Sequence, residues 1–548
     1  MSEGALDIAL PTGGKAVGET VTKTGNELVR SLTWVDAFWV SSGVPALVLF
    51  TIGSIAATVG NPSWAIWIIS ILFGFLQSFT YAEIAGLFPE KSGGASVYGA
   101  VAWVRYSKLI APLSVWCNWF AWSPVLAIGT SLGAGYILSV LFPADSVVNS
   151  WQWTLFDLGM IKDGLTLRIN ATFGLAAVLM LCVFAIQHRG ILASARIQMI
   201  FAVVSLLPLL IIGLVPLLTG DLPASHFTPF APLAHDAAGK VVAGHWDMAG
   251  LSLMAGGLFI AAWSTYGFET AVCYTREFRN PSTDTFKAIF FSGLLCLGVF
   301  TLVPLAFQGA LGLDGMLAPD IYSGMGVGRA MAAMIGAQGI VLNIIVVMLV
   351  LTLLLSIMTA MAGSSRTLYQ GSVDGWLPRY LSHVNHHGAP THAMWTDLCF
   401  NMLLLLLSDN VFVLAASNVG YIIFSFMNLN AGWLHRIDRP FLARPFKCPA
   451  WLLGTGAVLG FVNAFLMGMG AGVWGSGTLL TGIIVAAMVI PVFLFRHYVQ
   501  DKGVFPEAAI KDLHMQKEEG VESRAGLLPY LALLGGVLAV IAGRLLSA

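Results

Sequence analysis

The residues best placed to do chemistry lie in one short run, Trp263-Ser264-Thr265-Tyr266-Gly267-Phe268-Glu269. It sets a carboxylic acid beside glycine and small hydroxyl side chains, deep inside a long apolar stretch. A charged acid at the centre of a bilayer costs at least about 2.5 kcal/mol, so by default it has a function there. Two effects compete on its charge: burial opposes it, and the positive end of a following half-helix supports it. That balance suits a proton-responsive or cation-binding group. The alternative is a structural acid held by backbone amides and a neighbouring hydroxyl. A second run, Ser41-Ser42-Gly43-Val44-Pro45, interrupts another apolar stretch. Proline removes a donor and clashes with the preceding turn, and glycine permits unusual dihedrals. The chemistry on offer is binding, because free N–H groups at a helix break can hold an anionic group such as a carboxylate.

The other polar residues offer less. Trp116, Trp119 and Trp122 recur every three residues, as cavity wall or as lipid-facing bulk, and Asn118 among them could bond a substrate or a facing helix. Glu83 reads as a gate or a structural ion pair. His383, His386 and His387 share a polar loop without a partner Cys/Asp set, so they imply no metal site. Ser92-Gly93-Gly94-Ala95 lacks the GxxxxGK[ST] pattern of a phosphate cradle. No Ser/His/Asp or HExxH set is present, so neither an enzyme nor a bound cofactor is implied. Cys117, Cys182, Cys273, Cys296, Cys399 and Cys448 show no CxxC spacing and read as structural thiols.

The elements that position these residues follow from composition. Hydrophobic residues make up 57% of the chain and charged residues 10%, against about 25% charged in soluble domains. Runs such as Phe201 to Leu218, Ile340 to Met361 and Leu479 to Phe495 approach the roughly 20 apolar residues that a membrane helix needs. The fold class is therefore all-α, a polytopic membrane helix bundle whose constant partner is the lipid bilayer; no nucleic-acid partner is implied. Spans are expected to start near Trp34, Pro62, Ile110, Arg168, Leu192, Ala249, Phe286, Ala337, Ala393, Val411, Trp451 and Thr478, with a thirteenth from Gly526 to Leu546. Residues 1–32 read as a disordered cytoplasmic tail, 33–497 as the core domain, 498–524 as a charged cytoplasmic linker and 525–548 as the extra helix.

Charge sorts the loops. With the amino terminus in the cytoplasm, inside segments hold Lys91, Arg105, Lys108, Arg189, Arg196, Arg276, Arg279, Lys287, Arg366, Arg379, Arg436, Arg439, Arg444 and Lys447. Outside segments hold only Lys162, Arg168, Lys240 and Arg329. That asymmetry follows the positive-inside rule and suits an inner or plasma membrane. Spans one and six, the two interrupted ones, are corresponding members of two five-helix halves. Paired interruptions of that kind point to a midplane ligand site.

Three stretches resemble the amino acid–polyamine–organocation (APC) permease family. Ala82 to Tyr98, which contains Phe88-Pro89-Glu90-Lys91-Ser92-Gly93-Gly94, resembles the segment after helix two. Tyr266-Gly267-Phe268-Glu269 with Glu277-Phe278-Arg279-Asn280-Pro281 resembles the helix-six signature, and Ser365-Arg366-Thr367-Leu368 with Asp374-Gly375-Trp376-Leu377-Pro378 the end of helix eight. The resemblance spans about Thr33 to Phe495. It implies a LeuT-like five-plus-five inverted repeat with two further helices, twelve core helices in all, and substrate between helices one, three, six, eight and ten. It implies that backbone amides of Ser41, Ser42 and Gly43 take the substrate carboxylate, and that carbonyls around Ala262, Trp263 and Tyr266 take the amino group. In arginine/agmatine-type members a helix-six tryptophan covers the substrate and a helix-six glutamate tunes the pH response; the matching positions are Trp263 and Glu269. Asn118 and Gly267 complete the candidate set.

Two departures bear on mechanism. The family's G-x-G-I-F run is replaced by Ser41-Ser42-Gly43-Val44-Pro45, which leaves the substrate open. Many proton-coupled members carry a lysine on helix five where this chain has Ser205. Coupling is then by sodium with Ser356 or Thr359 as ligands, by protons through Glu269, or absent in an exchanger. The function expected is secondary active transport of amino acids by alternating access. An amine, polyamine or ethanolamine carrier and a non-transporting sensor on the same fold are the alternatives.

Overall fold

The computed structural model describes residues 28, 30–143, 145–220, 222–507, 509–510 and 524–547. Of the expected amino-terminal tail, residues 1–27 and 29 lie outside the described residues, whereas Ser31 and Leu32 are held on Glu277 O; of the charged linker, 508 and 511–523 lie outside. Thirteen principal helices run in chain order: α1 Trp34–Val59, α2 Ser63–Gly86, α3 Ala111–Leu141, α4 Ala171–Gln187, α5 Ile191–Thr219, α6 Met248–Glu277, α7 Pro281–Met316, α8 Gly339–Val373, α9 Thr391–Leu404, α10 Asn410–Asp438, α11 Ala450–Trp474, α12 Thr478–Gln500 and α13 Leu528–Ser547. Their starts fall where the apolar runs begin. The largest offset is at α7, which opens five residues early because Pro281 after Asn280 is preorganised for a first helical position. The start of α1 is fixed by a capping box: Asp36 N–H donates to the Thr33 hydroxyl, and Thr33 N–H donates to the Asp36 carboxylate at 2.8 Å.

Eleven of the thirteen are long and apolar enough to cross a membrane. The exceptions are α4, with 17 residues, and α9, with 14. Fourteen residues rise only about 21 Å. Both helices hold the places expected of spans four and nine, α4 at the lower end of the roughly 17–25 residues that a crossing takes and α9 below it. Arg168, the expected start of span four, lies in strand β2 (Thr166–Asn170), paired with β1 (Gln152–Asp157). The leucine run Leu403–Leu407 does not extend α9 beyond Leu404, because β2 draws its end away: Arg168 N–H donates to Leu406 O at 2.7 Å and Ser408 N–H to Thr166 O at 2.9 Å.

The two short helices hold matching places, fourth and ninth, in two five-helix halves. Other features repeat too. A short helix precedes the third member of each half, Ala95–Trp103 before α3 and Val327–Met334 before α8. The first member of each half is interrupted. In α1 the α-helix Trp34–Ser41 passes through Ser42 and Gly43 into a tighter 3₁₀ turn, Val44–Leu47, and resumes at Val48. In α6 the α-helix ends at Thr265 and an eleven-residue 3₁₀ stretch, Gly267–Glu277, follows. Both breaks keep right-handed backbone, with Gly43 at φ −75°, ψ −15° and Tyr266 at φ −88°, ψ −8°. The expected unwinding is therefore a tightening. A long 3₁₀ run inside a helix often marks a hinge. Gly43 is needed for close approach and not for an unusual dihedral: a Cβ there would strike Leu355 O and the Thr359 hydroxyl on α8.

The last helix, α13, lies along α11. Gly543 meets Phe465 O and Gly468 meets Val540 O with no room for a Cβ at either, a small-residue contact of the kind that joins helices in lipid.

Candidate functional site

Glu269, 1% exposed, sits in the 3₁₀ part of α6 and faces α3. Its Oε1 accepts from Trp122 Nε1 at 3.0 Å and from Asn118 Nδ2 at 3.5 Å. Its Oε2 has no donor among the described residues. Asn118 is oriented in turn by Thr367 on α8, whose hydroxyl lies 3.0 Å from Asn118 Oδ1. Positions 118 and 122 are four apart on α3 and so share one face. Trp263 is fully buried; its ring lies 6.2 Å from that of Trp122, near parallel, and 5.7 Å from Phe50, and its Nε1 donates to Ala121 O at 3.0 Å. That bond serves a backbone carbonyl where α3 is itself broken by Ser123-Pro124. Gly267 brings the two interruptions together: a Cβ there would meet Trp122 at 2.5 Å, Val44 at 3.0 Å and Leu47 at 3.2 Å.

The remaining candidates are placed as follows. Ala262 O accepts from Tyr266 N–H at 3.1 Å, within the helix. The Tyr266 hydroxyl donates to Asn463 Oδ1 on α11 at 3.0 Å, away from the break. The Ser41 hydroxyl bonds Ala37 O at 2.9 Å and the Ser292 hydroxyl on α7 at 2.7 Å, and Ser42 donates to Trp39 O at 2.6 Å. Neither serine side chain turns toward Glu269. Gly43 N–H donates to the Thr359 hydroxyl at 3.2 Å, and that hydroxyl donates to Val40 O at 2.5 Å. One side chain of α8 thus satisfies both sides of the α1 break, as lipid-buried backbone requires. Ser356 bonds Leu353 O on its own helix at 2.7 Å.

Several buried polar side chains beside the helix breaks were not singled out in the sequence. The side chain of α5 that reaches the α1 break is Gln198, 3.4 Å from the Thr359 hydroxyl and 2.8 Å from that of Ser194. Its NH₂ group donates to the Ser194 hydroxyl and its carbonyl oxygen faces Thr359. The side chain of Ser205 lies outside the described residues. Asp397 on α9 is fully buried and accepts from Trp119 Nε1 at 2.6 Å, from the Ser123 hydroxyl at 2.7 Å and from the Ser364 hydroxyl. Trp119 and Ser123 form the second i, i+4 face of α3, so one helix segment is held between two buried acids. Glu83 is paired with Arg436 at 2.6 Å and Arg444 at 3.1 Å, the ion-pair alternative.

At one end of the bundle, three sequence stretches that are far apart in the chain close on each other. Arg366 forks onto Glu277 at 2.5 and 3.0 Å, with both side chains 3% exposed or less. Lys91 meets Asp374 at 2.6 Å, equally buried. Ser92 N–H donates to Gln370 Oε1 at 3.1 Å, and Gly93 N–H to Cys273 O at 2.9 Å. The backbone carbonyl of Glu277 also takes the N–H groups of Ser31 and Leu32, each at 2.9 Å. Read from sequence, Lys91 and Arg366 were loop charges; both are buried partners in a closed seam. At the other end a cavity of about 510 Å³ opens among Ser131, Arg168, Thr172, Tyr322, Ser408 and Asp409. A small void of about 10 Å³ beside Phe50, Thr51 and Ser54 shares Ser323, Asn410 and Val411 with it. Phe50 in turn covers Trp263.

A bundle shut at one end, hollow at the other, with paired helix breaks between them, has the form of a carrier. The family model described as amino acid permease matches residues 32–494. The chain belongs to the amino acid permease family. Among relatives of this permease, the branched-chain amino acid permease BcaP of Bacillus subtilis (strain 168) is 24% identical over 479 residues, covering 85% of this chain and 88% of the relative. The polyamine transporter PUT1 of Oryza sativa subsp. japonica is 24% identical over 412 residues, 72% of this chain and 64% of that protein. BcaP of Lactococcus lactis subsp. cremoris (strain MG1363) is 23% identical over 360 residues, 64% and 69% of the two chains. The permease is a multi-pass membrane transporter and not an enzyme, and the family match takes in α1 to α11 and most of α12 while leaving α13 outside.

Proposed function

We propose that this permease is a secondary active transporter of amino acids in the plasma or inner membrane, with its amino terminus cytoplasmic. Substrate sits where α1 and α6 break, beneath Trp263. The observation that carries this reading is the meeting of the two breaks, Gly267 of α6 against Val44 and Leu47 of α1, with the buried Glu269 and its open oxygen alongside. Amides of Ser41, Ser42 and Gly43 hold the carboxylate, and carbonyls near Ala262, Trp263 and Tyr266 hold the amino group, with Asn118 and Glu269 completing the polar wall. Taking substrate requires Thr359 to give up its hold on Gly43 N–H, so binding loosens the α1 break and primes movement. Because Thr359 already spends its proton on Val40 O and accepts from Gly43 N–H, and Ser356 is turned onto Leu353 O, coupling through Glu269, or exchange without a coupled ion, is favoured over a sodium ion at Ser356 and Thr359.

The aromatic walls of Phe50, Trp122, Trp263 and Tyr421 suit an apolar side chain, in keeping with the branched-chain permeases among the relatives. A second reading, an amine or polyamine carrier, is favoured by the unpaired Glu269 oxygen and by the plant polyamine transporter. Uptake of labelled leucine, valine and putrescine into proteoliposomes, with and without imposed proton and sodium gradients, separates them. Saturable leucine or valine uptake driven by a proton gradient supports the first reading; uptake of putrescine alone supports the second. No saturable uptake of any amino acid or amine would remove both.

A further inference from the structure

The cavity at the open end has a definite chemistry. Arg168 lines it from β2, half-buried, and its guanidinium bonds only neutral acceptors, Gln152 Oε1 and Ser408 O, both at 3.2 Å. Among the described residues no carboxylate lies within ion-pair distance of it. The acid of the wall, Asp409, is taken by Lys162 and also caps α10, accepting from Phe412 N–H at 2.9 Å. Arg168 thus keeps a guanidinium without a direct ion pair, and Asp409 acts on it only from beyond contact range. Two helices also begin here, α4 at Ala171 with Thr172 and Phe173 on the wall, and α10 at Asn410 with Val411. The positive end of α4, capped by the neutral Asn170, adds to the same field, whereas that of α10 is offset by the Asp409 carboxylate. The volume, about 510 Å³, is in the roughly 300–1,000 Å³ range of small-molecule sites. The cavity shares Ser323, Asn410 and Val411 with a void of about 10 Å³ beside Phe50, the ring that packs on Trp263.

We propose that this cavity is a holding site for a free amino acid, in which Arg168 takes the carboxylate before the substrate passes Phe50 to the buried centre. The inference rests on the amino acid reading of the central site. Arginine suits the task because its fork grips a carboxylate through two parallel hydrogen bonds. The site also supplies what the α1 break withholds while Thr359 occupies Gly43 N–H, namely a ready anion partner.

The test is amino acid uptake kinetics in cells expressing wild type, Arg168→Gln, Arg168→Lys and Thr172→Trp. Arg168→Gln removes the charge; Thr172→Trp keeps Arg168 and its ties to Gln152 and Ser408 and fills the cavity instead. Loss of a charged hydrogen bond predicts KM for amino acid raised about tenfold or more in Arg168→Gln, with Vmax held within about twofold. Arg168→Lys shows a smaller rise, and Thr172→Trp reproduces the rise of Arg168→Gln. If Arg168→Gln fails to reach the membrane, Thr172→Trp decides alone. Wild-type KM in Thr172→Trp, or in a well-inserted Arg168→Gln, overturns the holding site and leaves the central site standing. Removal of external chloride from wild type that reproduces the Arg168→Gln shift, with no further change in that variant, assigns the cavity to an inorganic anion and overturns it too. Absence of saturable amino acid uptake in wild type defeats instead the reading on which the inference depends.

Discussion

Glu269 and Trp263 carry the residue-scale argument. Glu269 holds two side chains of α3 through one oxygen and offers the other. Glu269→Gln keeps a carbonyl oxygen for Trp122 and Asn118 and removes the ionisable group. The variant is expected to fold and to bind substrate while its transport rate loses most of its dependence on pH; a pH profile of proteoliposome uptake identical to wild type would return Glu269 to a purely structural role. Trp263 fills the space over the break and bonds Ala121 O. Trp263→Ala removes its aromatic contacts with Phe50 and Trp122 and is expected to weaken substrate binding about tenfold or more. Ligand-induced stabilisation in detergent measures this, and undiminished affinity would take Trp263 out of the site. The burial of both residues beside the α6 break was legible in the sequence, because an acid and a tryptophan flank a glycine inside a long apolar stretch. The side-chain roles of Ser41 and Ser42 were not. Their hydroxyls turn back onto α1 and α7, a choice set by neighbouring helices that no local pattern encodes.

Among the helices, α3 has the most demanding position. Its Asn118/Trp122 face holds Glu269 and its Trp119/Ser123 face holds Asp397. Asp397→Ala leaves two hydroxyls and an indole N–H buried without an acceptor, each worth about 1–3 kcal/mol. It is expected to lower the melting temperature in detergent sharply, whereas Asp397→Asn, which keeps one acceptor, loses less. Equal melting temperatures for Asp397→Ala and wild type would show that the cluster does not hold α9 to α3. Here the sequence was read less well. Apolar runs gave all thirteen helices and the inverted repeat gave the corresponding breaks, because both depend on local composition. The short reach of α4 and α9 depends on hairpin pairing at Leu406 and Ser408, a tertiary competition invisible in a leucine run. Asp397 escaped notice because its partners lie on α3 and α8, far off in the chain.

At the scale of the whole molecule, alternating access requires the closed end to open, and the Arg366–Glu277 pair is its tightest bond. Removing one member of a buried ion pair strands the other charge and is expected to cost about 3–5 kcal/mol, more than removing both. The single variants Arg366→Ala and Glu277→Ala are therefore expected to be less stable than the double variant. The double variant, lacking the clasp but carrying no stranded charge, should populate the conformation open at that end. Cys273 reports this directly, since it is 1% exposed and its backbone holds Gly93 in the same seam. In a background with the exposed Cys182 and Cys399 changed to serine, a membrane-impermeant thiol reagent is expected to reach Cys273 in the Arg366→Ala/Glu277→Ala protein and not in its parent. Labelling confined to inside-out vesicles would place the seam on the cytoplasmic side, as the distribution of Lys and Arg implies. Labelling confined to right-side-out vesicles would reverse the orientation, and with it the side from which the Arg168 cavity fills. Equal protection of Cys273 in both proteins would mean that the pair braces the bundle without gating it, and that opening is set elsewhere, with the Lys91–Asp374 contact the next to break.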